Sequence, residues 1–495
     1  MRSLSSKAAL LITANALKYF VGFALPMVLV RLLSKQDYGT YQQLSLVASI
    51  ATGIMVLGLP TSVYYFYHHV AKTPAGRPTL IAQTQLMLLL CGLVATIAII
   101  IGAPVLARRM NNPALAALLP TYACYVGLFL AGEQFMHVMI SQNRYRLAVG
   151  LEAAETIFRV ALLVCLLSLG RGLYDLVVAL VVYAGLRLAV RSFWIARGAD
   201  SVRHADWRRM FPLEQLAYGI PLAATTCIGL VGGLLDRAIV AVAFTPVAYA
   251  IYSVGALEIP LDSIFQSSVS NVLRASLPSL IAQGQTEEIV RIWRQAVRKL
   301  AIVVIPTFIF LLFFSRPFIV TFFTEHYAAS VNVFRIYLWL IPLHMFVLST
   351  IPQVYGRTRL NLYVAAIAVS MNAVLSLILL RTLGILGPAL SMVVSQYVAS
   401  TLFFLVTKKL LKAKARHLLP LPEMARTTAA SLLSLLPALG LWSLLGTSVV
   451  SFLCSAVVFG LAGLICGFYL SIFSAHDIKL ARSWASRVIP MRRPT

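Results

Sequence analysis

Ionisable side chains inside long apolar runs are where this sequence can do chemistry. Glu133 and His137 stand four residues apart, and Glu152, Glu155 and Arg159 follow i, i+3, i+7 spacing. Glu258 and Asp262 are again four apart. In a helix each of these sets shares one face. Asp236 and Arg237 are adjacent in the seventh run, while Lys18 lies in the first run and Arg187 in the sixth. A charge in hydrocarbon is costly, so such groups usually face a bundle interior or a wet path. Lys18, Arg159 and Arg237 are candidate substrate-binding cavity cations, because fixed positive charge in a partly desolvated site attracts phosphate strongly. Glu133, Glu152, Glu155, Asp236, Glu258 and Asp262 are candidates for balancing those cations or for ion coupling. Each residue also has a structural reading. Glu152 and Glu155 can sit near the inner interface, Arg187 can snorkel to the cytoplasm, and Asp236 with Arg237 can lie at an outer mouth. As a set the charges point inward, because they concentrate on the first eight apolar runs and nearly vanish from the middles of the later ones.

The elements that hold these charges must be membrane spans. The chain has 495 residues, 60% of them hydrophobic and only 12% charged, against about 25% charged in ordinary soluble domains. Apolar runs long enough to cross a bilayer recur along almost the whole length, at about 20 residues each. Fourteen are expected, at 8–33, 41–66, 80–106, 114–140, 147–169, 173–196, 214–244, 248–273, 300–323, 331–355, 360–380, 384–407, 425–446 and 448–473. The fold class is therefore all-α and polytopic, with about 14 transmembrane helices in two six-helix lobes plus a C-terminal helix pair. Two hydrophilic linkers set that division: residues 1–196 form the first lobe, 197–213 a cytoplasmic linker, 214–407 the second lobe, 408–424 a basic cytoplasmic linker, 425–473 the appended pair and 474–495 a cytoplasmic tail.

Net charge is +25, yet the basic residues lie in short tracts between apolar runs rather than in a basic domain, which argues against nucleic acid. Most fall on one side when both termini are placed in the cytoplasm, as the positive-inside rule requires. In this scheme Arg191 belongs to the first cytoplasmic linker. Arg2 and Lys7 precede an apolar run, Ala8–Leu33, that is too long for a signal h-region and has no small-residue cleavage site, so it reads as an uncleaved first span. The six cysteines all lie in apolar runs without a CxxC pair, so neither a disulfide framework nor a metal site is implied. No cofactor is expected. The stretch Ala275–Leu300 places Ile289, Ile292, Trp293, Ala296, Val297 and Leu300 at helical spacing opposite basic residues. It is either an amphipathic helix on the membrane surface or an extension of the ninth span.

A repeat supports the two-lobe parse. RLLSKQDYGTYQQLSLV (Arg31–Val47) aligns with VAFTPVAYAIYSVGALE (Val242–Glu258) at an offset of 211, which places Tyr38 on Tyr249 and Tyr41 on Tyr252. Six spans is an even number, so the halves enter the membrane in the same sense, about an axis along the membrane normal. The simplest geometry is a central cavity between the halves, lined by spans one, seven, eight and their neighbours. Prolines within spans (Pro26, Pro60, Pro221, Pro260, Pro306, Pro342, Pro352) break or kink helices there.

The segment VRLLSKQDYGTYQQLSLV, followed by LGLPTSVYYF (Leu57–Phe66), resembles the polysaccharide-biosynthesis flippases. These are O-antigen and exopolysaccharide translocases of the multidrug/oligosaccharidyl-lipid/polysaccharide (MOP) exporter superfamily. The twin six-span halves and the extra pair also resemble that superfamily. The resemblance implies a transporter, not an enzyme. It would flip a polyprenyl-diphosphate-linked oligosaccharide from the inner to the outer leaflet of a bacterial inner membrane, for O-antigen (lipopolysaccharide), capsule or exopolysaccharide synthesis. It also implies a V-shaped pair of lobes, alternating access, and a cationic cavity that Lys18, Arg159 and Arg237 would suit. Partners would be the lipid-linked oligosaccharide, membrane lipids, and the polymerase and glycosyltransferases of the same pathway. A drug antiporter of the same superfamily is the first alternative, although an organic-cation exporter calls for a more acidic cavity. An integral membrane glycosyltransferase or polymerase is the second. Against it stand short outer loops and the lack of a DxD-type metal site, a GxSxG elbow or a Gly-rich phosphate loop.

Overall fold

Apolar runs of this length have to become helices in a bilayer, where only helices and closed barrels satisfy every backbone polar group. The computed structural model describes residues 4–69, 76–198 and 205–472, and no strand occurs among them. In chain order the helices are α1 (Leu4–Leu32), α2 (Lys35–Met55), α3 (Leu59–His69), α4 (Gly76–Arg109), α5 (Ala114–Ala131), α6 (Phe135–Ser141), α7 (Tyr145–Ser168) and α8 (Leu173–Ala196). Then follow α9 (Pro212–Ala243), α10 (Pro246–Gly255), α11 (Pro260–Ala282), α12 (Thr286–Phe313), α13 (Ser315–Phe323), α14 (Ser330–Leu338) and α15 (Thr350–Val354). The chain ends its described part with α16 (Thr358–Leu383), α17 (Leu386–Leu411), the short α18 (Ala415–Leu418), α19 (Leu421–Leu445) and α20 (Val449–Tyr469).

Eleven helical segments among the described residues are long and apolar enough to cross a membrane, and the chain is a multi-pass membrane protein of all-α class. The other three expected runs are helical too, in α1, α7 and the α10–α11 pair. Of these α7 carries Glu152, Glu155 and Arg159 along its length, which dilutes its apolar signal. Several expected spans are two helices rather than one. The second divides between α2 and α3, the fourth between α5 and α6, the eighth between α10 and α11, and the ninth between α12 and α13.

Two compact units divide the chain. One takes Met1–Pro260 and Ala365–Ser395, the other Leu261–Val364 and Gln396–Thr495.

In the first unit the repeat is visible at the level of backbone. α1 ends at Leu32 and α9 at Ala243, while α2 begins at Lys35 and α10 at Pro246, each pair 211 apart. The N-caps correspond as well. The Ser34 hydroxyl accepts from the Asp37 N–H, and the Thr245 hydroxyl accepts from the Ala248 N–H. Such caps satisfy orphan donors of the first turn. α2 and α10 pack against each other, and the aligned Tyr38, Tyr249 and Tyr252 are buried in this region. Gly39 lies so close to the Pro246 carbonyl that a Cβ has no room.

The break between α2 and α3 explains the sequence LGLP. Leu57 and Gly58 have φ of 47° and 67°, the left-handed region that favours glycine. A Cβ on Gly58 would stand 2.5 Å from the Gly219 carbonyl oxygen of α9. Pro60 then falls in the first turn of α3, where a missing N–H costs nothing. Beside this crossing, α9 is pinned to α3 and α4 by a buried polar network. Gln83 Nε2 donates to Gln215 Oε1 at 2.6 Å, and Gln215 Nε2 donates to the hydroxyls of Ser62 (2.9 Å) and Thr84 (2.8 Å). The Phe211 N–H donates to Gln83 Oε1 at 2.7 Å.

In the second unit, α12 packs on α19 and α20. An aromatic cluster joins them: Phe310 stacks on Phe314 at 4.5 Å, and Phe452 meets Phe310, Phe314, Phe318, Phe322 and Trp442. The stretch at 275–300 resolves into the end of α11 and the start of α12, separated by a turn at Gly284 with φ of 69°. α12 runs unbroken from Thr286 into the apolar run, so the extension reading holds. Its Ile289, Trp293, Val297 and Leu300 are buried.

Candidate functional site

The first unit gathers most of the intramembrane charge around the break between α5 and α6. That break leaves helix-terminal carbonyls without intrahelical donors, and two arginines one turn apart on α8 supply them. Arg187 Nη1 donates to the Phe129 carbonyl at 2.8 Å, and Arg191 Nη1 donates to the Gly132 carbonyl at 2.9 Å. Positive charge at a helix C-terminus also complements the macrodipole. The guanidiniums lie over the rings of Phe129 (3.9 Å) and Phe135 (5.3 Å).

Carboxylates neutralise both. Arg187 Nη2 donates to Glu133 Oε1 at 2.7 Å, and its Nε approaches Glu155 Oε2 at 3.5 Å. Arg191 holds Glu155 in a fork, with Nε at 3.0 and 3.2 Å and Nη2 at 2.6 Å. The side chains of Arg187 and Arg191 are 5% and 4% exposed and that of Glu155 is 10% exposed, so this is a fixed, desolvated cluster. Two sequence expectations are corrected here. Arg187 does not snorkel, because its head group turns inward to a carbonyl and a carboxylate. Arg191 does not belong to a cytoplasmic linker, because it lies inside α8 and completes the cluster. The signal for it was available as the i, i+4 spacing of the two arginines.

Lys18 is different. Its Nζ donates to Glu152 Oε1 at 3.0 Å, with the lysine side chain 67% exposed and the glutamate 22%. It joins α1 to α7 as an open ion pair beside the closed cluster. His137 sits within electrostatic range of Glu133 and Glu152, and its ring meets that of Tyr64 at 4.8 Å. Arg159, also on α7, lies among the phenols of Tyr41, Tyr125 and Tyr183 and hydrogen-bonds with Tyr125. Among the described residues no carboxylate lies within ion-pair distance of it.

The remaining candidates are placed elsewhere in the unit. Asp236 is fully buried and accepts from the Tyr252 hydroxyl at 2.6 Å. Arg237 donates to the Ala256 carbonyl at 2.8 Å, at the end of α10, and lies 3.6 Å from Glu258. Glu258 is 81% exposed. The side chain of Asp262 lies outside the described residues. The structure thus joins Glu133, Glu155, Arg187 and Arg191 by direct contacts, with the Lys18–Glu152 pair as a separate contact whose carboxylate lies within electrostatic range of Arg191. Asp236, Arg237 and Glu258 form a second group around the end of α10.

The second unit carries an apolar cavity of about 440 Å³ between α12, α19 and α20, lined by residues including Ile302, Pro306, Ala430 and Phe459.

The chain matches the family model described as polysaccharide biosynthesis protein over residues 28–332. No curated protein matches it. Among solved structures, the lipid II flippase MurJ in an inward closed conformation is similar with a TM-score of 0.67 and 14% identity, over 93% of this chain and 98% of that one. An inward-facing multidrug resistance MATE family transporter of the MOP superfamily is similar with a TM-score of 0.61 and 15% identity, over 81% of this chain and 94% of that one. A MOP superfamily transporter from Pyrococcus furiosus is similar with a TM-score of 0.59 and 13% identity, over 82% and 94% respectively. At such identities the likeness concerns the fold. With more than half its length matched by the family model, the chain is a member of the polysaccharide biosynthesis protein family on a MOP-type transporter fold.

Proposed function

We propose that this chain flips a polyprenyl-diphosphate-linked oligosaccharide from the inner to the outer leaflet of a bacterial inner membrane by alternating access. It acts as a transporter rather than an enzyme, supplying O-antigen, capsule or exopolysaccharide synthesis. The observation that carries the reading is family membership over a segment that contains every residue of the charged cluster except Lys18. The charge balance supports an anionic head group. Lys18, Arg159, Arg187 and Arg191 face three carboxylates, Glu133, Glu152 and Glu155, and Arg159 has phenols rather than a carboxylate around it. An organic-cation exporter on the same fold would need the opposite excess.

In this reading Lys18, Arg159 and Arg237 bind the diphosphate. Glu133, Glu152, Glu155, Asp236, Glu258 and Asp262 balance charge or couple an ion. Two six-span halves, related by the 211-residue offset, move against each other, with both termini cytoplasmic. The apolar cavity between α12, α19 and α20 suits a prenyl chain. The polymerase and glycosyltransferases of the pathway are the expected partners.

The test is reconstitution into liposomes with a fluorescent polyprenyl-diphosphate glycan in one leaflet. Leaflet exchange should exceed that of empty vesicles under some imposed ion gradient, and exchange no faster than empty vesicles under all of them overturns the reading. Lys18→Ala, Arg159→Ala and Arg237→Ala should each slow exchange by roughly tenfold, the worth of one or two charge-assisted hydrogen bonds. Full activity in all three at normal protein level would remove the cationic site.

A further inference from the structure

The aromatic half of the LGLPTSVYYF motif is not used by any charge. α3 turns Tyr64 and Tyr65 outward at 38% and 42% exposure, with His68 and His69 exposed one turn later. On α9, Tyr218 is 37% exposed. We propose that these rings form a shelf that stacks against a pyranose of the transported glycan, with the Tyr64 ring as its working face. The inference rests on the flippase reading and names where that substrate's sugar is held.

Three observations place the shelf. First, Tyr64 meets His137 at 4.8 Å with ring planes tilted by 46°. His137 lies within range of Glu133 and Glu152, and those carboxylates pair with Arg187 and Lys18. The ring is therefore continuous with the charged group. Second, its neighbours are fixed. Tyr65 stacks on Tyr218 at 4.7 Å and 14°, and on His69 at 4.0 Å and 27°. Phe66 meets Tyr218 edge-on at 5.6 Å and Phe211 at 5.4 Å. That stack ties α3 to α9 next to the Gly58–Gly219 crossing, so Tyr64 is presented from a rigid support. Third, the order of chemistry matches the substrate. In a glycosyl diphosphate the first sugar is bonded to phosphate, so a site for both must place a cation beside an apolar face. Lys18 pairs with Glu152, Tyr64 meets His137, and Glu152 acts on His137 electrostatically. A pyranose offers one face of C–H groups, which packs on a π-face. Its hydroxyls point sideways toward acceptors such as Glu152.

Exposed tyrosines also occur as anchors at membrane–water interfaces, and the experiment separates the two roles. The full chain, reconstituted in liposomes, is given fluorescent polyprenyl diphosphate with no sugar and with a trisaccharide. The quantity read is the ratio of flipping rates, glycosylated over bare. Tyr64→Ala should lower that ratio about five- to tenfold, and Tyr64→Phe should hold it within about twofold. Tyr218→Ala, which loosens the supporting stack, should lower it in the same direction. An unchanged ratio in Tyr64→Ala, as a membrane anchor predicts, overturns the shelf. If wild type moves neither probe, the flippase reading fails and a second measurement decides the shelf by itself. This is saturation-transfer NMR from the full chain in nanodiscs to methyl pyranosides of hexose, N-acetylhexosamine and deoxyhexose. Transfer to sugar C–H protons in wild type and Tyr64→Phe, lost in Tyr64→Ala, supports it. No transfer from wild type to any of the three overturns it.

Discussion

Removing the Arg191 guanidinium tests whether the closed cluster is a structural latch. Arg191→Ala deletes three hydrogen bonds to Glu155 and one to the Gly132 carbonyl. Glu155 keeps only Arg187, at 3.5 Å. Breaking one side of a buried pair costs about 3–5 kcal/mol, and the remaining arginine places this case near the lower end, about 3 kcal/mol. Glu155→Ala leaves Arg191 buried with a single carbonyl partner and removes the weaker contact of Arg187, which keeps Glu133 at 2.7 Å. That loss is about 4 kcal/mol on the same basis. Were the residues independent, the double variant would lose about 7 kcal/mol, whereas loss of one shared interaction leaves it near 4, a coupling of about 3 kcal/mol. The assay is thermal unfolding of the purified protein in detergent, where Arg191→Ala should lower the midpoint on the order of 5 °C. Additive losses in the double variant would refute the latch. A further variant, Arg191→Met with Glu155→Leu, replaces the pair by apolar groups of similar bulk and should recover most of the lost stability.

Three more outcomes follow from the geometry. Gly58→Ala places a Cβ 2.5 Å from the Gly219 carbonyl oxygen at a φ of 67°, so it should cost about 2–3 kcal/mol in detergent melting, and more in Gly58→Val. Gln215→Leu strands Gln83 Nε2 in a fully buried network and removes one donor from Ser62 and from Thr84, whose hydroxyls keep the Leu59 and Leu80 carbonyls, with an expected loss of about 1–3 kcal/mol and faster proteolysis at the linker before Phe211. Tyr252→Phe removes the 2.6 Å hydrogen bond to buried Asp236. It should cost about 1.5–3 kcal/mol, a loss that Asp236→Asn, which keeps an acceptor for the same hydroxyl, should largely avoid.

The fold was legible wherever the bilayer dictates it. Apolar runs become helices because nothing else is permitted there, and the 211-residue offset of the aligned tyrosines recurs in the ends of α1 and α9 and the starts of α2 and α10, although the second run was expected to begin at 41 and its helix begins at Lys35. The breaks inside spans were less legible. Pro60 and Pro260 stand near two of them, but the break between α5 and α6 falls at Gly132–Gln134 with no proline. It is made possible by arginines from another helix that satisfy the freed carbonyls, a contact 55 residues or more away in sequence. Local propensity does not encode such a partner.

The candidate site shows the same limit and its cause. A charge inside an apolar run marks itself as costly, so Lys18, Glu133, Glu152, Glu155 and Arg187 could be chosen from sequence alone. Arg191 lies four residues from Arg187 but close to the basic tract at the end of α8, and counting positive charge assigned it to that tract. Only packing shows that α8 buries both arginines against the end of α5. Once their charges are assigned to Glu133, Glu155 and two backbone carbonyls, they have no free capacity for a phosphate. Of the cations around that break, what stays available is Lys18, held by one exposed ion pair, and Arg159, held by phenols. An exposed ion pair is worth under about 1 kcal/mol, so in the proposed function a diphosphate would displace Glu152 from Lys18 at little cost, whereas it would not reach into the fork between Arg191 and Glu155. The buried arginines give the site its rigidity, and the exposed lysine gives it a charge that can be exchanged.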